Sequence, residues 1–187
     1  MLEIQNLSKT YDGGVQALTD VSFSVPKGQF LAVIGLSGSG KSTLLRCLNR
    51  LVTPTSGKIL WNGVDVTDAN QDEIRYVRRK IGMVFQHFNL VQRSSVLTNV
   101  LSGRLGYVNP IWSIFNRFSK EDIENAYHQL DRVGITDKAH YRADELSGGQ
   151  QQRVGIARAM MQDPEMILAD EPVASLDPVL AHSIMQY

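Results

Sequence analysis

A single cysteine, Cys47, stands in the 187-residue sequence, so no internal disulfide is possible and the chain fits a reducing compartment. At this size a hydrophobic core suffices without covalent staples, and Cys47 itself reads as a small buried group on a helix. Neither sign of charge dominates, because 19 Lys and Arg residues face 19 Asp and Glu residues. That balance excludes a global positive field recruiting nucleic acid or anionic lipid and leaves room only for local patches. Long apolar runs are missing as well. The longest stretch without charge, Gly28 to Gly40, has 13 residues and four glycines, too short to span a bilayer as a helix. The first residues lack the basic start, apolar run and small-residue cleavage site of a secretory signal, so a cytosolic location is expected. Repeats and low-complexity segments are absent from the sequence, and 43% hydrophobic with 20% charged residues is the composition of a globular protein. The length corresponds to about one domain, with space for an inserted subdomain.

What is present is punctuated clearly. Leu2 and Ile4 suggest a first strand. Val21, Phe23 and Val25 alternate with polar residues and predict a half-buried second one, ended by Pro26, Lys27 and Gly28. Phe30 to Ile34 is continuously apolar, the pattern of a strand buried on both faces of a parallel sheet. Leu44, Leu45, Leu48 and Leu51 then recur at helical spacing until Pro54 and Gly57. Lys58 to Trp61 and Ile81 to Phe85 predict further strands around a charged helix, Asp72 to Lys80. In that helix Arg75, Arg78, Arg79 and Lys80 read as a solvated basic face, softened by Asp72 and Glu73. From Phe88 to Gln162 strand signals vanish, while Ile123, Ala126, Tyr127, Leu130 and Val133 follow a helical period, so a helical insert is expected. Strand character returns at Met166 to Ala169, and Ser175, Leu176, Asp177 and Pro178 open a last helix running to Tyr187.

The nine residues Gly35, Leu36, Ser37, Gly38, Ser39, Gly40, Lys41, Ser42 and Thr43 fulfil the phosphate-loop pattern between a predicted strand and a predicted helix. Phosphates need backbone N–H groups at close range without Cβ obstruction, which Gly35, Gly38 and Gly40 permit, and the helix behind adds its positive end. Lys41 is placed to reach the β- and γ-phosphates and the Ser42 hydroxyl to bind Mg²⁺. Asp170 and Glu171 close the apolar strand Met166 to Ala169. Taken alone, two adjacent acids suit a solvated turn; beside a phosphate loop, the first suits Mg²⁺ and the second a base for an attacking water. A second glycine-rich element, Leu146 to Gln150, precedes a helix in which Val154, Ile156, Ala157 and Met161 can face a core. Ser147 is its hydroxyl donor and candidate cap, and Gly148 and Gly149 allow close backbone approach. As a bare peptide the same residues suit a linker equally well.

The run from Leu146 through Glu171 and on to Asp177 resembles the ATP-binding subunits of ABC transporters. Five motifs of that family occur in order: the Walker A loop at Gly35 to Thr43, Gln86 as the Q-loop, the signature at Leu146 to Gln150, the Walker B strand ending at Asp170 and Glu171, and the D-loop at Ser175 to Asp177. Tyr11 sits where the family stacks an aromatic on adenine. The resemblance covers the chain from Leu2 onward. It implies an α/β P-loop NTPase with a RecA-like parallel core, an N-terminal antiparallel β subdomain and an inserted helical subdomain. Residues 1–87 and 163–187 would form the core with the β subdomain, and 88–162 the helical part. It implies ATP and Mg²⁺ as cofactors, with Glu171, Lys41 and Gln86 catalytic and Ser42, Gln86 and Asp170 around the metal. Tyr11, the Walker A residues, Ser147, Gly148, Gly149, Gln150 and Asp177 would contact nucleotide, which is sandwiched between the two subunits of a homodimer. Further implied partners are integral membrane permease subunits and a solute-binding protein, with the chain at the cytoplasmic face of the membrane and no role for nucleic acid.

Asn99 to Gly106, the segment with Trp112, Phe115 and Phe118, and the stretch from Ile167 to Pro178 are similar to the phosphonate-importing branch of the family. Another small solute such as an amino acid, a soluble ATPase outside transport, and a nucleotide-binding switch remain as alternative readings. The three aromatics suit a satellite core of the helical insert or a patch for a membrane subunit. His87 reads as a loop residue, and His128, His140 and His182 show no metal-ligand spacing. The family's switch histidine is expected beyond the last helix, and His182 falls too early for it, so the sequence resembles a C-terminally shortened ATPase.

Overall fold

The alternating apolar pattern of the first 25 residues becomes a hairpin. Strand β1 (Leu2–Thr10) pairs antiparallel with β2 (Gln16–Val25), setting Leu2 opposite Val25 and Ile4 opposite Phe23. The register shifts after Ile4, where Asn6 takes a positive φ of 50°, and this bulge turns Leu7 into the core beside Leu2 and Ile4. The computed structural model describes residues 1–108 and 118–171, and the chain divides into two compact units, Met1–Arg78 and Arg79–Tyr187.

In the first unit, β1 also pairs with β3 (Ser56–Trp61), which continues to the short β4 (Val64–Asp65), giving a sheet of order β2-β1-β3-β4. Asn62 and Gly63, both at positive φ, make the tight turn between β3 and β4. Helix α1 (Lys41–Leu48) buries Leu44, Cys47 and Leu48. It ends earlier than its leucine period suggests: Arg50 adopts φ 54°, and Leu51 emerges 48% exposed. Arg78, on helix α2 (Gln71–Lys80), donates to the carbonyls of Asn49 at 3.1 Å and Arg50 at 2.7 Å, satisfying acceptors just past the end of α1. Arg75, Arg78 and Arg79 are exposed, as the solvated reading of this face expects, and the bonds from Arg78 add a structural task to it. Arg75 pairs with Asp72 at 3.1 Å.

The apolar run Phe30 to Ile34 departs from expectation. Among the described residues it forms no strand, and Phe30 is 74% and Ile34 92% exposed. A strand buried on both faces needs ladder neighbours, and the antiparallel sheet of this unit runs from β2 to β4 without pairing this segment.

The second unit contains the parallel pair β5 (Ile81–Val84) and β6 (Met166–Ala169), with Ile81 opposite Met166 and Val84 opposite Ala169. Every residue of β5 is buried, as its unbroken apolar pattern requires. Between the two strands the described chain is helical: α3 (Val96–Leu101), α4 (Lys120–Arg132) and α5 (Gly148–Met160). All three start on a serine whose hydroxyl oxygen accepts a backbone N–H, Ser95 from Thr98, Ser119 from Asp122 and Ser147 from Gln150. Their apolar faces close one core. Val96, Val100, Ala126, Leu130, Val154 and Ala157 are all fully buried, as the helical periods of α4 and α5 predict. Phe118 packs against this core, in line with the satellite-core reading; Trp112 and Phe115 lie outside the described residues. Among the described residues no helix is long and apolar enough to cross a membrane.

Candidate functional site

In the first unit, the segment from Gly35 to Thr43 is an open loop running into α1. Ser39 N donates to Leu36 O at 3.2 Å, and Gly38 and Gly40 hold φ values of 80° and 93°. Only glycine takes such angles without strain. Gly40 is also crowded: a Cβ there would drive into the Ala17 carbonyl oxygen of β2. One at Gly35 would stand 2.7 Å from the Ser39 hydroxyl, whereas one at Gly38 would meet open space. These positions thus separate two needs, close packing against β2 at Gly40 and unobstructed backbone at Gly38.

Lys41, the first residue of α1, curls its ammonium back to the carbonyls of Gly35 and Leu36, both at 2.8 Å. The charge therefore hangs over the loop at the positive end of a helix, where its natural replacement acceptors are anionic oxygens. Tyr11, just past the end of β1 and 38% exposed, shares a hydrogen bond of 3.3 Å between its hydroxyl and that of Thr43. Lys9 holds its ammonium 5.2 Å from the Tyr11 ring centroid and donates to Thr53 O at 2.8 Å. An aromatic face, a phosphate loop and its lysine are thus assembled within one unit.

In the second unit, the two parallel strands bring their C-terminal ends side by side. Gln86 follows β5 and Glu171 follows β6, and Gln86 Nε2 donates to Glu171 Oε2 at 3.1 Å. Asp170 is buried, and its N–H donates to Val84 O at 2.9 Å, extending the ladder by one step. Glu171 stands at φ 52° and is exposed, its carboxylate meeting both solvent and the Gln86 amide. One sheltered acid and one projecting acid, one residue apart, suit two different tasks: holding a cation and taking a proton. His87, beside Gln86, lies exposed on the turn.

Ser147 to Gln150 form a reciprocal cap at the start of α5. Gln150 N donates to the Ser147 hydroxyl at 3.4 Å, and Ser147 N donates to Gln150 Oε1 at 3.0 Å. Gly148 has open space where a Cβ would stand, so the helix start presents backbone without obstruction. The linker reading of these residues fails, because they are the ordered first turn of a 13-residue helix. Asp177 lies outside the described residues.

The model of the ABC transporter family matches residues 18–174 of this sequence. The chain belongs to that family. Among curated relatives of this ABC chain, a phosphonates import ATP-binding protein of Halalkalibacterium halodurans is 52% identical over 187 residues, covering all of this chain and 72% of its own length. Another, from Synechococcus sp., is 58% identical over 186 residues and is covered to 69%. The fold is that of the ABC cassette. The dimeric post-hydrolysis structure of the cassette MJ0796 bound to ADP and Pi superposes with a TM-score of 0.89 at 37% identity, over all of this chain and 80% of that one.

Two residues of the second unit hold backbone in ways that sequence reasoning assigned to neither. Asn99 is fully buried in α3 and holds the preceding turn through Val91 N at 2.8 Å, Val91 O at 3.1 Å and Ser95 O at 3.0 Å. Arg158 of α5 reaches the backbone just after Gln86. Neither carries a local signal, since both act on main-chain atoms that any sequence supplies.

Proposed function

We propose that this chain is the ATP-hydrolysing subunit of an ABC importer whose cargo is phosphonates or related phosphate-ester anions. The observation that carries the ATPase reading is the pairing of Gln86 with Glu171 at the ends of β5 and β6, beside the sheltered Asp170, in a chain that also builds a glycine-rich loop topped by Lys41. The cargo rests on the relatives named as phosphonate importers at 52% and 58% identity.

In this reading residues 1–87 and 163–187 act as the nucleotide-binding core and 88–162 as the helical part. Tyr11 offers its ring to the base. The backbone of Gly35 through Thr43 wraps the phosphates, and Lys41 exchanges the neutral carbonyls of Gly35 and Leu36 for β- and γ-phosphate oxygens. The loop fits such a ligand because Gly38 keeps open the space a Cβ would take. Mg²⁺, when bound, offsets the charge of the β- and γ-phosphates. The Ser42 hydroxyl, the Gln86 side-chain carbonyl and the Asp170 carboxylate are the groups to hold it, a hard oxygen set suited to this ion. Glu171 takes a proton from the attacking water as the water oxygen bonds to the γ-phosphorus and the bond to the β-phosphate oxygen breaks, leaving ADP and phosphate. Ser147, Gly148, Gly149 and Gln150 serve the nucleotide of a second copy, and Asp177 belongs to the same dimer contact. The dimer works at the cytoplasmic face of the cell membrane on permease subunits supplied with solute by a binding protein.

The test is ATP hydrolysis by the chain reconstituted in proteoliposomes with its permease and binding protein. Phosphonate in the lumen-facing compartment of the binding protein should stimulate hydrolysis, and Lys41→Ala should abolish it. Stimulation by an amino acid but not by phosphonate overturns the cargo, and activity that survives Lys41→Ala overturns the ATPase site.

A further inference from the structure

The turn that carries Gln86 is held in an uncommon backbone conformation. Phe88 and Asn89 stand at φ 59° and 49°, two successive non-glycine residues in the left-handed region. A bulky aromatic at positive φ is a steric outlier, and such conformations last only where the surroundings over-determine them. Local bonds contribute: Phe88 N donates to Phe85 O at 3.1 Å and Asn89 N to His87 O at 2.6 Å. They close the turn but leave the carbonyls of Phe88 and Asn89 pointing away from it.

Those two carbonyls are taken by one side chain. Arg158 Nη2 donates to Phe88 O at 2.7 Å and Arg158 Nη1 to Asn89 O at 2.7 Å. A guanidinium is the group for this task, since its planar fork aims two parallel donors at adjacent acceptors, where an ammonium offers a point charge. Burial disfavours its charged form, and of the two bonds the one to Phe88 O is part-buried and the one to Asn89 O exposed. The approach is close along the helix too, with the Phe88 carbonyl 3.9 Å from where a Cβ on Gly155 would stand. Arg158 belongs to α5, the helix whose first turn is the capped Ser147 to Gln150.

We propose that Arg158 is a positioning residue for ATP hydrolysis: it clamps the left-handed turn at Phe88 and Asn89, presents Gln86, and ties that glutamine to the helix that begins at Ser147. The role rests on the reading of Gln86 as part of the hydrolytic site. The clamp itself does not.

The experiment uses the full chain with Arg158→Lys and Arg158→Met, each with and without Asn89→Gly. Amide hydrogen exchange over residues 86 to 90 should speed up by about tenfold in both single variants, the lower end for losing hydrogen bonds from a charged donor, while the amides of α5 stay protected. The hydrolysis rate kcat should fall by about tenfold with KM for ATP within about twofold, because the phosphate loop is untouched. Asn89→Gly should restore part of kcat in the Arg158 variants, since glycine takes positive φ without help, and should restore nothing in Gln86→Ala. Unchanged exchange over 86 to 90 overturns the clamp, as does faster exchange throughout α5, which marks general fold support. A chain without ATPase activity overturns the proposed function alone, because the exchange measurement needs no turnover. Should Arg158→Met fail to fold, Arg158→Lys keeps the stem and the charge and carries the same comparison.

Discussion

Gln86 and Glu171 are 85 residues apart in sequence, yet their side chains meet through a 3.1 Å hydrogen bond from Gln86 Nε2 to Glu171 Oε2. The parallel register of β5 and β6 produces this meeting, because Val84 stands opposite Ala169 and each functional residue follows two positions later. The carboxylate proposed as proton acceptor is thus already in contact with the glutamine proposed for the metal.

Glu171→Gln preserves the shape of that side chain and removes its basicity. We expect hydrolysis to slow by about 10^2 to 10^4-fold, the span for losing a general base, with nucleotide affinity nearly unchanged. Measured together, phosphate release and equilibrium binding of a fluorescent ATP analogue decide it; a wild-type rate removes Glu171 from the role of base.

Gly38 and Gly40 share the left-handed conformation but differ in surroundings, which gives a contrast rather than a single loss of function. Gly38→Ala meets no neighbour and should cost roughly 1 to 2 kcal/mol of backbone strain. Gly40→Ala adds a collision with the Ala17 carbonyl and should cost at least about 2 kcal/mol more, within the range for overpacking. Denaturant melts of the two variants check the order, and equal stabilities would contradict the crowding at β2.

Ser147 caps α5 and also belongs to the proposed dimer contact, and the two roles separate by substitution. Ser147→Ala should cost about 1 kcal/mol in stability through the lost cap. Ser147→Arg should in addition block turnover in dimers while ATP binding by single chains persists. In a mixed dimer, Lys41→Ala in one copy and Ser147→Arg in the other should leave one composite site occupied; equal damage to both sites would remove action across the interface.

The parts legible in the sequence were those with short-range signatures. Glycine spacing at Gly35, Gly38 and Gly40, the serine before α5 and the apolar period of Ala126, Leu130 and Val133 each specify local structure by sterics or periodicity, and the structure follows them. The Asn62–Gly63 turn carried an equally plain signal that pattern reading passed over. Phe30 to Ile34 misled for a physical reason: an apolar run encodes a demand for cover, and whether a strand forms depends on ladder partners remote in sequence. Arg78 and Arg158 were invisible for another reason. Both satisfy backbone carbonyls, and a carbonyl leaves no mark on the residue that bears it.

Cys47 offers a pH-dependent test of the first unit's packing. It is fully buried on α1, and that burial pushes its thiol up to about 11 against the opposing pull of the Lys9 charge. The unfolded chain releases the same proton near the ordinary thiol value of about 8.5. Unfolding between those two values therefore releases a proton, so the stabilisation is fully present below about pH 8.5 and is lost as pH climbs through 11. The slope is at most about 1.4 kcal/mol per pH unit, so the native chain should lose roughly 2 to 3 kcal/mol across the window that Cys47→Ala does not lose. Urea melts of both proteins at steps from neutral to strongly alkaline pH make the comparison, with lysine and tyrosine titration common to the two. Parallel stability curves would mean that the thiolate is solvated in the folded chain and that the face of α1 bearing Leu44, Cys47 and Leu48 is looser than its burial indicates.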